Sequence, residues 1–110
     1  SQAVKANGFM FVSGVLALDP ETGMMVGETA SEQAKQIFKN AKAIIEAGGG
    51  KLENTVKAVV YLASIADFAS VNEVYASAFE KAEVLPSRCA FEVAKLPKNG
   101  LVEIEFTVAL

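Results

Sequence analysis

Residues 31–64 read SEQAKQIFKNAKAIIEAGGGKLENTVKAVVYLAS, and within this stretch a helical pattern changes to a strand pattern. Apolar residues first recur at the spacing of one helix face: Ala34, Ile37, Phe38, Ala41, Ile44 and Ile45. Thr29 and Glu32 have the spacing of a capping box at the start of this helix, and the triplet Gly48-Gly49-Gly50 ends it. The apolar, β-branched residues 55–64 then predict a central strand.

Strand patterns flank this helix–strand unit on both sides. Upstream, AVKANGFMFVSG contains two apolar runs joined at Asn7-Gly8, a dipeptide that favours the type I′ turn of a β-hairpin. Downstream, PSRCAFEVAKLP, residues 86–97, predicts a buried strand between two prolines. The last stretch, LVEIEFTVAL, alternates with a period of two residues. One of its faces carries Val102, Ile104, Phe106 and Val108, and the other carries Glu103, Glu105 and Thr107.

A second amphipathic helix is predicted after the central strand. We expect Asp67 to cap it, and its apolar stripe contains Phe68, Val71, Val74, Tyr75, Ala78 and Phe79. The resulting order, β-β-α-β-α-β-β, predicts an α+β fold in which both helices cover one face of a single mixed sheet. The other face stays partly open, and Tyr61, Glu103 and Glu105 are expected on it.

The composition favours one small domain, residues 1–110, that assembles with further copies. A chain of 110 residues has the usual size of a domain, and it buries only about two-thirds of its unfolded surface. With 52% hydrophobic residues it carries more apolar surface than one small core can hide, so we expect a subunit interface. The net charge of −3 and the pI near 4.9 argue against a nucleic-acid partner, because binding to phosphates needs a basic patch.

No segment of the chain indicates secretion or a membrane. The single cysteine, Cys89, cannot form an internal disulfide. The N-terminal residues lack the basic start and apolar run of a signal peptide, and no apolar stretch approaches the roughly 20 residues that span a bilayer. We therefore expect a cytoplasmic protein, and a mitochondrial location after removal of a transit peptide stays open.

Most catalytic residue sets are absent, which leaves few groups for chemistry. Without histidine the chain has no Ser-His or Cys-His pair and no imidazole ligand, so we expect no metal site. Its only arginine, Arg88, offers a rigid, permanently charged fork of donors that matches a carboxylate. A glutamate that becomes partly buried on the open face, Glu103 or Glu105, has a raised pKa and can activate a water. From the residues alone, a surface ion pair for Arg88 and a solvated glutamate face stay open as alternatives.

Cys89 and Asn72 are the remaining candidates. Because strand residues alternate, Cys89 should point to the face opposite Arg88, and we interpret it as a small buried hydrophobic residue. Asn72, on the second helix, either faces solvent or forms a hydrogen bond to a ligand.

Long stretches of the chain together carry a family pattern. They include SQAVKANGFMFVSG, LDPETG, EQAKQIFKNAKAIIEA and VKAVVYLASIADFASVNEVYASAF. The most specific stretch is PSRCAFEVAKLPKNGLVEIE, in which Pro-x-Arg, EVAxLP and VEIE follow one another. Over nearly its whole length the chain resembles the Rid family of small trimeric proteins, also called YjgF/YER057c/UK114.

The resemblance implies a chorismate-mutase-like subunit in a homotrimer, with the sheets facing inward and a ligand cleft between neighbouring copies. It also implies a hydrolase that converts 2-imino acids to 2-oxo acids and ammonia without a metal or organic cofactor. Carried onto matching positions, Arg88 would bind the substrate carboxylate and Glu103 would position or activate the water. Gly14 would offer a backbone contact and Asn72 would line the cleft. Ala90, also beside the ligand, stands where many members have a cysteine.

Two other functions stay open beside the deaminase. Ala90 in place of the cysteine keeps a non-catalytic carboxylate-binding or chaperone-like trimer as an alternative. An endoribonuclease or translation-inhibitor role is also attached to the family. The acidic balance and the absence of histidine argue against that role.

Overall fold

The computed structural model describes residues 1–110, and its helices and strands follow the predicted order. The five strands are β1 (Ala3–Ala6), β2 (Phe9–Val15), β3 (Thr55–Leu62), β4 (Ser87–Glu92) and β5 (Val102–Ala109). The two helices are α1 (Ala30–Ala47) and α2 (Phe68–Ala78). The predicted order β-β-α-β-α-β-β is confirmed. Neither helix combines the length and the apolar character that a membrane crossing requires.

The strands form one mixed sheet in the order β1-β2-β5-β3-β4. All neighbouring strands are antiparallel except β3 and β4, which run parallel because α2 provides the crossover between them. The last strand of the chain, β5, therefore lies at the centre of the sheet, and β4 forms one of its edges.

Both helices pack on the same face of this sheet, as predicted. The ring of Phe38 in α1 makes edge-to-face contacts with Tyr75 of α2, with Phe79 just after it and with Phe106 of β5, at centroid distances of 5.9, 5.7 and 5.8 Å. The four residues of β5 that were predicted to face the core are at most 2% exposed: Val102, Ile104, Phe106 and Val108. The core thus lies between the two helices and one face of the sheet.

Local signals account for the hairpin and for the ends of α1. Asn7 and Gly8 have φ values of 51° and 80°, the left-handed pair that a type I′ turn requires, so the predicted hairpin is confirmed. The Thr29 hydroxyl accepts a hydrogen bond from the Glu32 N–H, which confirms the cap of α1. After the helix, Gly49 takes a φ of 89°, which a residue with a Cβ adopts only at a cost.

The predicted cap of α2 is wrong. Asp67 ends a 3₁₀ turn, Ile65–Asp67, and has helical backbone angles (φ −86°, ψ −1°), so its side chain makes no capping hydrogen bond. A capping side chain needs extended backbone to reach back to the free N–H groups. Ser64 has that geometry and caps the 3₁₀ turn by accepting a hydrogen bond from the Ala66 N–H.

A strand forms within residues 86–97 as predicted, but its predicted burial is wrong. β4 has a neighbour on one side only, and both helices lie on the other face of the sheet, so its outward side chains are exposed. Cys89, interpreted as a buried hydrophobic residue, is one of them. The same open face carries large apolar side chains that are about half exposed: Val4 (54%), Phe11 (48%) and Phe91 (42%).

Candidate functional site

Arg88 lies on the helix-covered side of the edge strand β4. Its Cα pairs with that of Ala58, which is fully buried in the core, so the Arg88 side chain leaves the sheet toward α2. There its guanidinium lies over the ring of Tyr75 at 4.7 Å and over the ring of Phe68 at 5.3 Å. It also donates a hydrogen bond to Asn72 Oδ1. α2 supplies all three partners because they lie at positions i, i+4 and i+7 of one helix face.

Ala90 shares this side of β4 with Arg88, and Cys89 does not. The Cα of Ala90 pairs with that of the buried Val60, and Ala90 packs against the core. Cys89 pairs instead with Val59 and points to the open face. The prediction that Arg88 and Cys89 face opposite ways is therefore confirmed.

Glu103 and Gly14 meet on the open side of the sheet. Glu103 lies on the central strand β5, and Gly14 lies on β2 where the register between β2 and β5 shifts. A Cβ atom on Gly14 would overlap with Glu103 Oε2 and would lie only 2.8 Å from Glu103 Cδ. Glycine at this position lets the backbone of β2 approach the carboxylate closely.

The charged groups around Glu103 shift its proton equilibrium. Burial raises the pKa of the Glu103 carboxyl above its ordinary value, and the nearby charge of Glu105 raises it further. Glu105 itself accepts a hydrogen bond from the Tyr61 hydroxyl at 2.8 Å. Burial, followed by this hydrogen bond and by the charge of Glu105, raises the pKa of Tyr61 to about 12. Glu105 is thus engaged by a protein donor, and Glu103 is the carboxylate available to a ligand or a water.

A cleft of about 850 Å³ borders Gly14 but not Glu103. Gly14 and Ser13 of β2 line it together with Asp19 from the following turn and Asn40 and Ile44 from α1. Asn40 fixes one wall of the cleft, because its side-chain amide donates hydrogen bonds to the backbone oxygens that follow β2. Arg88 does not line this cleft.

The predicted site residues therefore form two separate groups within one chain. Arg88, Asn72 and Ala90 lie on or near the helix-covered side of β4, and Gly14 with Glu103 lies on the open side. Because the two groups lie on opposite faces of the sheet, a small ligand bound on one face does not contact both groups of the same chain. A site that uses both groups requires a second copy of the chain.

The sequence did not identify the aromatic partners of Arg88. Phe68 and Tyr75 appeared only as members of the apolar stripe of α2, which is the usual role of such residues. Their spacing with Asn72 was a usable signal, since the three share one helix face. This spacing indicates Arg88 as the shared partner only after the parallel pairing of β3 and β4 has placed β4 beside α2.

Comparison with known proteins identifies the family. The sequence profile described as Endoribonuclease L-PSP matches residues 1–110. The chain belongs to this family. RidA from the Antarctic bacterium Psychrobacter sp. PAMC 21119 has the same fold, with a TM-score of 0.93 and 44% identity over 100% of this chain and 87% of that one. The resemblance to Rid proteins is confirmed.

Two other members of the family bear on chemistry. A protein from Bos taurus, 45% identical over 105 residues that span 96% of this chain and 75% of the relative, is named 2-iminobutanoate/2-iminopropanoate deaminase. TdcF from E. coli, solved with bound serine, is 33% identical with a TM-score of 0.91 over 99% of this chain and 86% of that one. Several relatives of similar identity carry only the name RutC family protein.

Proposed function

We propose that this chain is a hydrolytic deaminase of reactive 2-imino acids, which it converts to 2-oxo acids and ammonia without a cofactor. Membership of the family and the name of the Bos taurus relative support this proposal. The observation that carries it is the guanidinium of Arg88, which two rings and one amide oxygen hold at the edge of the sheet. Its remaining N–H donors suit the planar carboxylate of such a substrate.

The proposed site lies between two copies of the chain. One copy contributes Arg88 with Asn72 and Ala90, and its neighbour contributes Gly14 and Glu103. This division follows from the sheet, which keeps the two groups on opposite faces of a single chain.

A homotrimer with the open sheet faces turned inward is the proposed assembly. The exposed apolar side chains of that face, among them Val4, Phe11 and Phe91, are suited to a subunit interface, which typically resembles a core cut in half. The assembly would also bury Glu103 further and raise its pKa more, since burial is already the main cause of its shift.

In the proposed reaction, water replaces the nitrogen at C2 of a protonated imine. Arg88 binds the carboxylate and so holds C2 beside the water. The water oxygen bonds to C2, the π electrons of the C=N bond move to nitrogen, and Glu103 accepts a proton from the water. Glu103 returns this proton to the nitrogen, and an electron pair of the C2 hydroxyl oxygen forms the C=O bond as the C–N bond breaks. The hydroxyl proton passes through Glu103 to the released ammonia, which leaves as ammonium. One iminium and one water give one 2-oxo acid and one ammonium ion.

Arg88→Ala tests this proposal. A charge-assisted bidentate contact is worth about 10- to 100-fold in binding, so the variant should lose most of its acceleration of 2-iminopropanoate hydrolysis. The assay follows the loss of imine absorbance in competition with semicarbazide. Lys35→Ala, which removes an exposed cation from α1, is the matched control and should keep its activity. Full activity in Arg88→Ala, with an unchanged assembly in size-exclusion chromatography, would refute the role of Arg88.

A carboxylate-binding protein without catalysis is the second candidate. The serine bound to TdcF favours it, because serine carries a carboxylate and is not an imine. Wild-type protein that binds a 2-oxo acid without accelerating imine hydrolysis would favour this candidate.

RNA cleavage, suggested by the name of the family, predicts RNA binding that weakens with salt. No RNA binding at low salt would exclude it.

A further inference from the structure

Arg88 is supported on α2 by two aromatic rings and not by a carboxylate. The single ion pair in the chain, between Lys42 and Glu46, lies elsewhere. We propose that Tyr75 and Phe68 are positioning residues that hold the Arg88 guanidinium for a substrate carboxylate. The inference rests on the proposed function of Arg88 and extends it to two residues that the family resemblance did not assign.

The geometry explains how aromatic rings can position this side chain. The Cζ atom of Arg88 lies 4.7 Å from the centroid of the Tyr75 ring, and the attraction of the charge by the ring face uses none of the N–H groups as hydrogen-bond donors. A carboxylate partner would instead occupy those N–H groups and would compete with the substrate. Only Asn72 uses the edge here, through one hydrogen bond from one terminal nitrogen. The remaining donors stay available for a ligand.

The position of the Tyr75 ring is set by packing. The ring lies edge-on to Phe38 at 5.9 Å and 4.8 Å from the ring of Phe79, and the residue is 7% exposed. Its hydroxyl is buried and has no hydrogen-bond partner. The hydroxyl therefore does not hold the ring in place, and the face of the ring is what Arg88 contacts. Phenylalanine at this position keeps that face, and leucine removes it.

This support has a consequence for specificity. A guanidinium held in one orientation discriminates a planar carboxylate from an uncharged group. A mobile guanidinium loses conformational entropy when the carboxylate binds, and this loss lowers its affinity for the carboxylate. Loss of one ring should raise the KM for a 2-imino acid by about 2- to 5-fold, the factor that a single exposed cation–π contact supplies. The kcat should change by less than about twofold, since neither ring touches the reacting atoms.

The test compares Tyr75→Leu, Phe68→Leu and the conservative Tyr75→Phe. Hydrolysis of 2-iminopropanoate and of the corresponding 2-imino carboxamide is measured for each variant. We expect both leucine variants to raise the KM for the carboxylate substrate only, and Tyr75→Phe to keep the wild-type value. Phe9→Leu is the matched control, because the exposed ring of Phe9 pairs with Phe11 and contacts neither Arg88 nor its two aromatic partners. Phe68 is only half-buried, so Phe68→Leu gives a result even where Tyr75→Leu does not fold.

Binding of pyruvate, followed by NMR titration, separates this inference from the proposed reaction. If the wild-type protein binds pyruvate without accelerating hydrolysis, the reaction fails, and weaker pyruvate binding in the leucine variants still supports the inference. In the Arg88→Ala background, Tyr75→Leu should weaken pyruvate binding no further. Three results would overturn the inference: equal effects on the carboxylate and the carboxamide, leucine variants that match the wild type, and a wild type that binds no carboxylate.

Discussion

Replacing Gly14 with alanine is expected to lower activity while leaving the fold intact. The new Cβ would overlap with Glu103 Oε2 and would lie 2.8 Å from Cδ and 3.2 Å from Cγ of the same side chain. Carbon atoms in contact normally lie about 3.5–4.0 Å apart. The carboxyl carbon of Glu103 must therefore move by about 1 Å to make room. Gly14 does not have a positive φ, so alanine itself fits its backbone.

The effect on activity follows from that displacement. A misplacement of about 1 Å in a reacting group can cost about 100-fold in rate, so we expect kcat/KM to fall by about 10- to 100-fold. The effect on stability should stay below about 1 kcal/mol, because the group that moves is the end of a flexible side chain at a half-exposed site.

Imine hydrolysis and thermal unfolding of Gly14→Ala together measure these two effects. Gly50→Ala is the matched control, since its new methyl group would meet Ile45 and Leu110 at 3.0 and 3.2 Å, away from Glu103. In the Glu103→Gln background, Gly14→Ala should cost much less activity than in the wild type. Wild-type activity in Gly14→Ala, or an equal loss in both backgrounds, would refute the reasoning.

Two further predictions concern stability and pH. Gln33→Leu should lower the free energy of unfolding by about 2–4 kcal/mol, because the buried amide donates to Gly27 O and accepts from the Leu101 N–H, and the substitution leaves both backbone groups unpaired. Urea unfolding measures this loss, and an unchanged midpoint would contradict it. Glu103→Gln should lower activity by about 100-fold, the contribution of a general base, yet raise the unfolding temperature at pH 7. Burial and Glu105 raise the pKa of Glu103, so its ionised form destabilises the folded state. The difference in unfolding temperature should shrink as the pH falls through the raised pKa of Glu103, because the wild-type carboxyl then becomes protonated. A difference that grows toward acid pH would contradict this prediction.

Elements with local causes were predictable from the sequence. The hydroxyl of Thr29 and the N–H of Glu32 lie three residues apart, and the turn at Asn7-Gly8 needs only the backbone freedom of two residues. Arg88 stood out as the only arginine of the chain. The alternation of β5 placed Glu103 on the face away from the core, and the structure confirms this placement.

The errors concern features that the surrounding structure sets and the residue type alone does not. Asp67 has a suitable side chain for a cap, but the preceding 3₁₀ turn gives it helical backbone angles. The apolar pattern around Cys89 is typical of a buried strand, and burial on both faces requires neighbours that β4 lacks. Residue type sets what a side chain can do, and the number of neighbouring elements sets whether it is buried.

By itself, the sequence determined the order of the elements and the groups available for chemistry: one guanidinium, a few carboxylates and no imidazole. Only the tertiary structure decided which of these groups meet. The pairing of Ala58 with Arg88 and of Tyr61 with Glu103 sends the guanidinium toward α2 and the carboxylate to the opposite face of the sheet. The β3–β4 pairing joins strands separated by tens of residues, and a shift of one residue in its register would reverse the face of Arg88, so no local pattern encodes that face. The face of Glu103, in contrast, follows from the alternation within β5.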